Sequence, residues 1–295
     1  MKIENISPSF SLIDKSFNKE FSSHYHLSFI IGLGGFMYSV LDVRQNSLIA
    51  LEEFYFEKEN NYESLCNSIK SFISSSEILK TNYKKVTVGI YNNNSTLVPS
   101  ALFDENKKND FLKFNFSKEN IFSANDFLQE LDAYNIYESS ETLLKTFNEI
   151  YSRVKFFHFS SALIERMMVE NKFKNETNIY LHFFQKNKYG TPSHFEFIIL
   201  KNGKLIFYNS FVFHQKEDIA YYLLFALEQL KINPANANIT LLGNIQKTDE
   251  FVELIHNYVK SVSFGSRPEN YNYATVFDEL PSHFHYSLLS QYLYG

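Results

Sequence analysis

The sequence predicts an α/β protein with mixed sheets, made of two similar domains. The first observation behind this prediction is that one order of elements, three strands, a helix and a fourth strand, occurs twice along the chain. The second is the length of 295 residues, about twice that of an average domain. The third is the composition, in which 44% of the residues are hydrophobic and 21% are charged; this excludes a disordered chain.

The first copy of the pattern begins with apolar runs that predict strands over 26–31 and 36–41. Gly34–Gly35 lies between them, as expected for a hairpin turn that requires positive φ. A third strand is predicted over 48–56 and a fourth over 86–91. The helix between these two strands is indicated by apolar residues at helical spacing, namely Leu65, Ile69, Phe72, Ile73 and Leu79.

The second copy repeats the order, with strands predicted over 179–184, 194–199, 205–213 and 239–242. Asn202–Gly203 is a strong hairpin signal between the second and third of these strands. A helix with a broad apolar face is predicted before the fourth strand.

The spacing between the two copies is nearly constant. The turn at Asn46 precedes the turn at Asn202 by 156 residues, and the fourth strands, which begin at Val86 and Ile239, are 153 residues apart. The helix of the second copy is predicted to begin at Asp218, because Asp is favoured at helix N-termini. The sequence therefore predicts a duplicated domain.

The segment between the copies is predicted to hold an acidic polar loop over 104–110 and strands over 126–131 and 134–137. A helix is expected after Ser139–Ser140, and a bridging helix near 160–172 leads into the second copy.

We place the first domain at 1–157 and the second at 158–295. A last helix, predicted over 286–292, is expected to fold back on the first domain. Since no low-complexity linker separates the copies, we expect two closely apposed domains that flank a cleft.

Charge, cysteine content and hydropathy exclude several classes of protein. Lys and Arg total 28 against 33 Asp and Glu, and the net charge of −5 counts against nucleic-acid binding. Cys66 is the single cysteine, which excludes an internal disulfide and a cysteine zinc site. The first residues lack the features of a signal peptide, and the uncharged stretch 21–41 is interrupted by polar residues and glycines. We therefore expect a cytoplasmic protein without a membrane span.

Four segments carry a resemblance to a known family: the hairpin over 27–39 and the runs 97–103, 155–161 and 219–224. They resemble a bacterial family of unknown function with the actin-like ATPase fold. The resemblance covers about Leu12 to Val262. It implies two ribonuclease-H-like domains of order βββαβα enclosing a nucleotide cleft. More distantly, the layout is similar to actin-like proteins of type IV pilus assembly and cell division.

The resemblance also implies where a nucleotide would bind. Members that bind one carry an Asp on the first hairpin of each domain for magnesium, and small residues there that let backbone N–H groups approach phosphates. The corresponding cleft-lining residues of this chain are Gly32, Gly34, Gly35, Gly190, Thr191, Gly243 and Asn244. Neither hairpin carries an Asp, and the loop expected to face adenosine has one glycine instead of two. These departures predict degenerate nucleotide motifs, with no catalytic residue and no bound ATP or magnesium.

Other polar groups have two interpretations each. Lys186 and Lys188 can contact an anion, and the basic stretch 153–188 can contact an acidic partner or RNA, but charge runs are usually solvated surface. The pairs His24/His26 and His283/His285 would share one face of a strand and could ligate a metal. No third ligand has matching spacing, so hydrogen-bonded histidines and no metal are expected. Cys66 falls on the apolar face of its helix and is expected in the core.

The sequence favours a non-enzymatic role through protein–protein contacts, as an interaction or scaffold protein with an unidentified protein partner. A homodimer is an open alternative, with a docking patch hypothesised at Tyr271, Tyr273, Tyr292 and Tyr294. The rival hypothesis is a nucleotide-dependent ATPase or switch with an atypical phosphate loop. A weaker one is an RNA-associated factor.

Overall fold

The computed structural model of the protein describes residues 7–56, 61–116, 121–184 and 193–294. The chain divides into two compact units. The first unit comprises Met1–Glu165, Glu269–Glu279 and Ser287–Gly295, and the second comprises Arg166–Pro268 and Leu280–Tyr286. Within the described ranges, no helix has both the length and the apolar character needed to cross a membrane.

Fifteen strands and seven α-helices are numbered in chain order over the described residues. The strands are β1 (Phe10–Ile13), β2 (Tyr25–Gly32), β3 (Gly35–Asp42), β4 (Ser47–Tyr55), β5 (Lys85–Ile90), β6 (Ser95–Pro99), β7 (Ser123–Leu128), β8 (Ala133–Glu138), β9 (Val154–His158), β10 (Thr177–Phe184), β11 (His194–Lys201), β12 (Lys204–Val212), β13 (Asn238–Gly243), β14 (Ser261–Phe264) and β15 (Asn272–Tyr273). The helices are α1 (Tyr62–Ser75), α2 (Lys108–Asn115), α3 (Glu141–Ile150), α4 (Phe159–Asn171), α5 (Lys216–Gln229), α6 (Glu250–His256) and α7 (Tyr286–Tyr294).

The main sheets of the two units share one strand order. The first unit has the order β1-β4-β3-β2-β5-β9, and the second has β12-β11-β10-β13-β14. In both, the first three strands of the repeat are antiparallel neighbours, the fourth adds in parallel beside the first, and the fifth adds in parallel beside the fourth. Five strands of the first unit thus correspond one to one with the whole sheet of the second. The mixed α/β class and the repeated order predicted from the sequence are confirmed.

The hairpin turns follow from residues that tolerate positive φ. Asn202 has φ of 52° and Gly203 of 71°, as a two-residue turn between β11 and β12 requires. Asn46 has φ of 47° in the turn before β4. The prediction for Gly34–Gly35 was wrong by one residue, because the turn is formed by Leu33 and Gly34. Gly35 already belongs to β3, where it pairs with Gly32 of β2.

Helix α5 begins two residues before the predicted start. Its N-cap is Gln215, and Asp218 is the third helical residue, where it completes a capping box. The Asp218 carboxylate accepts hydrogen bonds from the backbone N–H of His214 at 2.8 Å and of Gln215 at 3.2 Å. The residue type therefore indicated the helix end correctly but not its position within the first turn.

Each unit has its own hydrophobic core on one face of its sheet. In the first unit Phe29 of β2 packs edge-on against Phe147 of α3, with ring centroids 5.3 Å apart. In the second unit Phe195 and Phe197 of β11 face a core that includes Leu223 of α5. Alternation along β11 sends His194 and Glu196 to the opposite face of the sheet.

The first unit also contains a small antiparallel sheet, in the order β6-β8-β7, that the sequence analysis missed as a separate element. Helix α2 covers it and starts inside the predicted acidic loop. The apolar cluster under this helix consists of Val98, Leu112, Ile121 and Ile136. This insertion lies between β5 and α3, and the second unit has no described counterpart of it between β13 and α6.

Candidate functional site

The glycines of the first hairpin are required by packing within the first unit. A Cβ at Gly35, which has φ of 151°, would overlap the backbone carbonyl oxygen of Phe54 on β4. A Cβ at Gly32 would lie 2.6 Å from Cδ1 of Tyr91. The Gly34 carbonyl accepts a hydrogen bond from Phe56 N–H at 3.0 Å. The absence of side chains at these positions therefore lets the strands approach one another.

The turn after β13 in the second unit is held by the protein's own carbonyl groups. Gly243 N–H donates to His283 O at 2.8 Å, and Asn244 N–H donates to Phe183 O at 3.2 Å. Gly243 has φ of 87°, and a Cβ there would overlap the carbonyl oxygen of Phe183. The His283 ring adds a third link, because its Nε2 lies 2.9 Å from Ile245 O and must donate to it. The backbone N–H groups of Gly243 and Asn244, in the loop expected to face adenosine, thus both bond to carbonyls within the second unit.

The remaining predicted positions lie outside the described residues. These are Gly190 and Thr191 of the second hairpin, together with Lys186 and Lys188. Of the candidate residues that the structure describes, Gly32, Gly34 and Gly35 lie together in the first unit, and Gly243 and Asn244 lie in the second.

A pocket of about 290 Å³ lies where α5 and α6 of the second unit begin. Lys216, Asp249 and Glu250 line it, but these charges already have partners in the protein. Lys216 Nζ is 2.8 Å from Glu250 Oε2, and Asp249 accepts a hydrogen bond from Gln246 N–H at 2.8 Å. The charged groups at this opening therefore stabilise the two helix ends.

A buried polar cluster in the first unit centres on Asp126 of β7. Its carboxylate accepts hydrogen bonds from Ser161 Oγ at 2.6 Å, from His158 N–H at 2.8 Å and from Tyr137 OH at 3.2 Å. Burial raises the pKa of Asp126 to about 7, against the opposing effect of these three donors. Sequence reasoning did not find Asp126, because its partners are far apart in the chain.

The cluster continues from Asp126 to a histidine and a second serine. His158 Nδ1 lies 2.7 Å from Ser160 Oγ, and its Nε2 lies 3.1 Å from Asn92 O. Asn135 Nδ2 donates to both serines, at 3.1 and 2.9 Å. Serine, histidine and aspartate are the residue types of nucleophilic catalysis, yet Asp126 is 8% exposed and His158 only 1%. The cluster is therefore buried rather than open to a substrate. Its hydrogen bonds join Asp126 and Asn135 of the small sheet to the end of β9 and the start of α4.

The second unit buries a different set of polar groups on the sheet face opposite its core. Glu196 lies directly across from His182 in the ladder between β11 and β10. Tyr208 OH donates to Glu196 Oε2 at 2.6 Å, and His194 Nε2 lies 3.7 Å from Glu196 Oε1. Burial raises the pKa of Glu196 to about 7 and lowers the pKa of His182 to about 3. Neither ring nitrogen of His182 has a hydrogen-bond partner among the described residues.

Neither histidine pair lies together on one strand: His26 is in β2, but His24 precedes that strand. His24 ends a 3-10 turn just before β2, and His283 and His285 precede α7, so neither pair shares a strand face as hypothesised. Across the ranges that the structure describes, no three His, Cys, Asp or Glu side chains could together hold a metal ion. Cys66 is buried in α1 as predicted, and burial raises the pKa of its thiol.

The tyrosines hypothesised as a docking patch make contacts inside the first unit. Tyr271 is 6% exposed and its hydroxyl donates to Leu289 O, while Tyr292 OH lies 3.0 Å from Ser39 Oγ. Tyr271 is thus too buried to serve in such a patch, although it stands in a polar stretch of sequence, whereas Tyr292 is half-buried. Arg166 of the basic stretch is likewise buried, at 6% exposed, and pairs with Glu170.

Comparisons with known proteins identify the architecture. A family model described as a protein of unknown function (DUF3822) matches residues 14–262. A crystal structure from Bacteroides thetaiotaomicron is described as a protein with actin-like ATPase fold and unknown function. Its sequence is 24% identical to this chain, and the structures align with a TM-score of 0.69 over 84% of this chain and 93% of the other. No curated protein matches the chain.

Two further structures are more distant. The PilM–PilN type IV pilus biogenesis complex aligns over 90% of this chain and 94% of the other, at 11% identity and a TM-score of 0.53. The cytoplasmic domain of EpsL, from the type II secretion system of Vibrio cholerae, aligns over 92% and 95%, at 10% identity and a TM-score of 0.46. The chain thus has the actin-like ATPase fold, and the resemblance drawn from the four sequence segments is confirmed.

Proposed function

The chain belongs to DUF3822, a family of proteins of unknown function, and we propose that it acts through protein–protein contacts rather than by hydrolysing a nucleotide. The observation that carries this proposal is the turn after β13. There the N–H groups of Gly243 and Asn244 donate to His283 O and Phe183 O.

A phosphate-binding turn works because its N–H groups point outward and have no partner within the protein. Gly243 and Asn244 stand in the loop expected to face adenosine, and to offer their N–H groups to a nucleotide the protein would have to break two backbone hydrogen bonds. It would also have to move His283, whose ring bonds to Ile245 O at 2.9 Å. Leaving buried groups unpaired costs about 1–3 kcal/mol each, so the closed turn opposes binding.

The first hairpin supports the same proposal. Gly35 lies against the backbone of Phe54, and the described turn residues, Leu33 and Gly34, carry no carboxylate for magnesium. The glycines of this hairpin have a packing role that is sufficient to explain them.

An exposed aromatic pair on α5 is a candidate contact surface. Tyr221 is 62% exposed and Phe225 is 49% exposed, and their rings stack with centroids 5.9 Å apart. Aromatic side chains are enriched at the centres of protein interfaces. The PilM–PilN complex is by its name an assembly of two proteins, and a contact role on the same fold is in keeping with that.

The proposal is tested by thermal melts of the full chain with millimolar Mg-ATP and Mg-ADP, against magnesium chloride of equal ionic strength. Any ligand that binds only the folded state raises its stability, by about 2.7 kcal/mol at one hundred times its Kd. We expect the same melting temperature in all three solutions. A clear rise with Mg-ATP contradicts the proposal and favours the ATPase or switch. A salt-dependent retention on RNA would instead favour the RNA-associated role.

A further inference from the structure

One end of the second unit's sheet gathers lysines from four separate connections. β10, β13 and β14 are parallel neighbours, so all three begin at this end. β11 ends here, because its Lys201 pairs with Thr177 of β10, and β12 begins here, because its Lys204 pairs with Lys201. The connections and the residues that flank the hairpin turn contain one acidic residue, Glu176, and six lysines. These lysines define what we call the basic surface: Lys172, Lys174, Lys201, Lys204, Lys231 and Lys260.

The basic surface differs in charge from the chain as a whole. The chain has a net charge of −5, yet all six of these lysines are exposed and stand against one glutamate. Lys201 and Lys204 form no ion pair with any described residue, whereas Lys70 and Lys145 of the first unit each pair with a glutamate. The positive charge at this end is therefore open to an external anion.

An exposed phenylalanine stands within the basic surface. Phe173 follows the end of α4, between Lys172 and Lys174, and is 90% exposed. Val169, four residues earlier on α4, is 51% exposed. The hairpin between β11 and β12 lies against this segment, since a Cβ at Gly203 would be 2.7 Å from the Lys172 carbonyl oxygen. An apolar ring thus projects from the protein among lysines of two adjacent connections.

We propose that the basic surface binds the headgroups of an anionic lipid membrane and that the Phe173 ring inserts at their boundary with the acyl chains. This goes beyond the proposed function, because it assigns a second surface to a different partner. Clusters of four to eight Lys or Arg bind anionic lipids. Peripheral binding becomes stable when such a cluster is combined with apolar insertion. Tyr258, 48% exposed and two residues before Lys260, adds a second aromatic ring of the kind found at membrane interfaces.

The make-up of the surface favours a membrane over other anionic partners. A ring that is 90% exposed projects from the protein instead of lining a groove, and a groove is what most peptide ligands occupy. Lys is depleted at protein interfaces, and Arg is preferred to Lys where nucleic-acid phosphates are recognised. All six cations of this surface are Lys. A lipid surface requires only dense positive charge and an exposed apolar side chain, and both are present.

The test is flotation of the full chain with vesicles of equal parts phosphatidylglycerol and phosphatidylcholine, compared with vesicles of phosphatidylcholine alone. We expect flotation only with the anionic vesicles, and less of it as salt is added, because salt screens the attraction. Lys201→Gln combined with Lys204→Gln should weaken vesicle binding about 25-fold, at about fivefold per lysine. Phe173→Ser should weaken it about tenfold, through the lost apolar burial. Since these side chains are exposed, the substitutions leave the hydrophobic cores intact.

Insertion of the ring has its own readout, because the chain contains no Trp. Phe173→Trp adds a single emitter, and its fluorescence should shift to shorter wavelength with the anionic vesicles. The matched control is Phe114→Trp on α2, which is 91% exposed and also follows a lysine, and its emission should not shift. Lys107→Gln combined with Lys108→Gln removes the same charge from the first unit and should leave vesicle binding unchanged.

Several results would overturn the proposal. One is the absence of flotation with the anionic vesicles, and another is an equal loss of binding in the Lys107 and Lys108 control. A wavelength shift at Phe114→Trp but not at Phe173→Trp also contradicts it. Retention on RNA that needs Lys201 and Lys204, without vesicle binding, assigns the surface to nucleic acid instead. The Mg-ATP melts are decided separately, because the basic surface lies at the start of β13 and Gly243 at its end.

Discussion

The two units share one strand order but differ at the outer edge of corresponding strands. In the first unit β4 is covered, since β1 pairs with Ala50–Glu53 and β15 pairs with Ser47–Leu48. In the second unit no described strand covers the outer side of β12. Duplicated topology therefore does not bring duplicated surfaces. The edge that the first unit closes with its own strands has no described strand beside it in the second unit.

The buried carboxyl groups differ in a similar way. Asp126 in the first unit accepts hydrogen bonds from Ser161, His158 and Tyr137. Glu196 in the second accepts a hydrogen bond from Tyr208 OH and lies near His182 and His194, which are both buried. The first unit thus stabilises its acid with several donors, whereas the second keeps its acid beside His182, whose pKa burial lowers to about 3. Replacing each acid by its amide can separate these two arrangements.

The largest expected effect comes from the glycines that the strands need for close approach. Gly35→Ala in the first unit and Gly243→Ala in the second each place a Cβ against a backbone carbonyl at positive φ. We expect each to lower the free energy of unfolding by about 3 kcal/mol or more. Amide hydrogen exchange should locate the loss in the unit that carries the substitution.

Asn46→Gly and Asn202→Gly are the controls for these substitutions. Both residues have positive φ, at 47° and 52°, which glycine adopts readily. We expect their exchange rates to stay close to those of the unaltered chain. If Gly243→Ala also leaves the exchange rates close to those of the unaltered chain, the turn after β13 is not closed as described.

The second largest effect is on the pH dependence of the free energy of unfolding, which distinguishes the two buried acids. The pKa of Glu196 is raised from 4.5 to about 7, so its stabilising contribution is complete below pH 4.5 and is lost as pH rises through 7. Glu196→Gln removes this loss. Relative to the unaltered chain, it should gain up to about 3 kcal/mol between pH 4.5 and pH 8 in denaturant unfolding.

Asp126→Asn is the matched variant in the first unit. The pKa of Asp126 is also raised to about 7, so the sign of the pH dependence is the same. Its amide cannot accept as many hydrogen bonds as the carboxylate, however, so this variant should be destabilised at both pH values. If Glu196→Gln lowers the free energy of unfolding more than Asp126→Asn does at both pH values, the contrast between the two clusters is wrong.

The smallest effect concerns one side-chain hydrogen bond in each unit. Tyr271 OH donates to Leu289 O in the first unit, and His283 Nε2 donates to Ile245 O in the second. Tyr271→Phe and His283→Phe remove these donors while keeping an aromatic ring. We expect each to lower the free energy of unfolding by about 1 kcal/mol, measured by chemical denaturation. If only His283→Phe lowers the free energy of unfolding by clearly more than this, the turn after β13 depends more on its side-chain hydrogen bond than the Tyr271 contact does.

Much of the fold was predictable because its signals are local. Turn residues with positive φ, such as Asn202 and Gly203, and apolar alternation in the flanking strands depend only on near neighbours. The cover of β4 was not predictable, since β15 and β4 are more than two hundred residues apart in the chain. Asp126 was missed for the same reason. The candidate glycines that the structure describes lie in a turn or at strand ends, but the sequence could not show which carbonyl groups the N–H groups around them reach.

The most direct test of the account is amide hydrogen exchange at Gly243 and Asn244, measured with and without Mg-ATP. The account predicts slow exchange at both residues in either solution, because His283 O and Phe183 O already accept from these N–H groups. Fast exchange that becomes slow only when Mg-ATP is added would show an open nucleotide-binding turn and contradict the account.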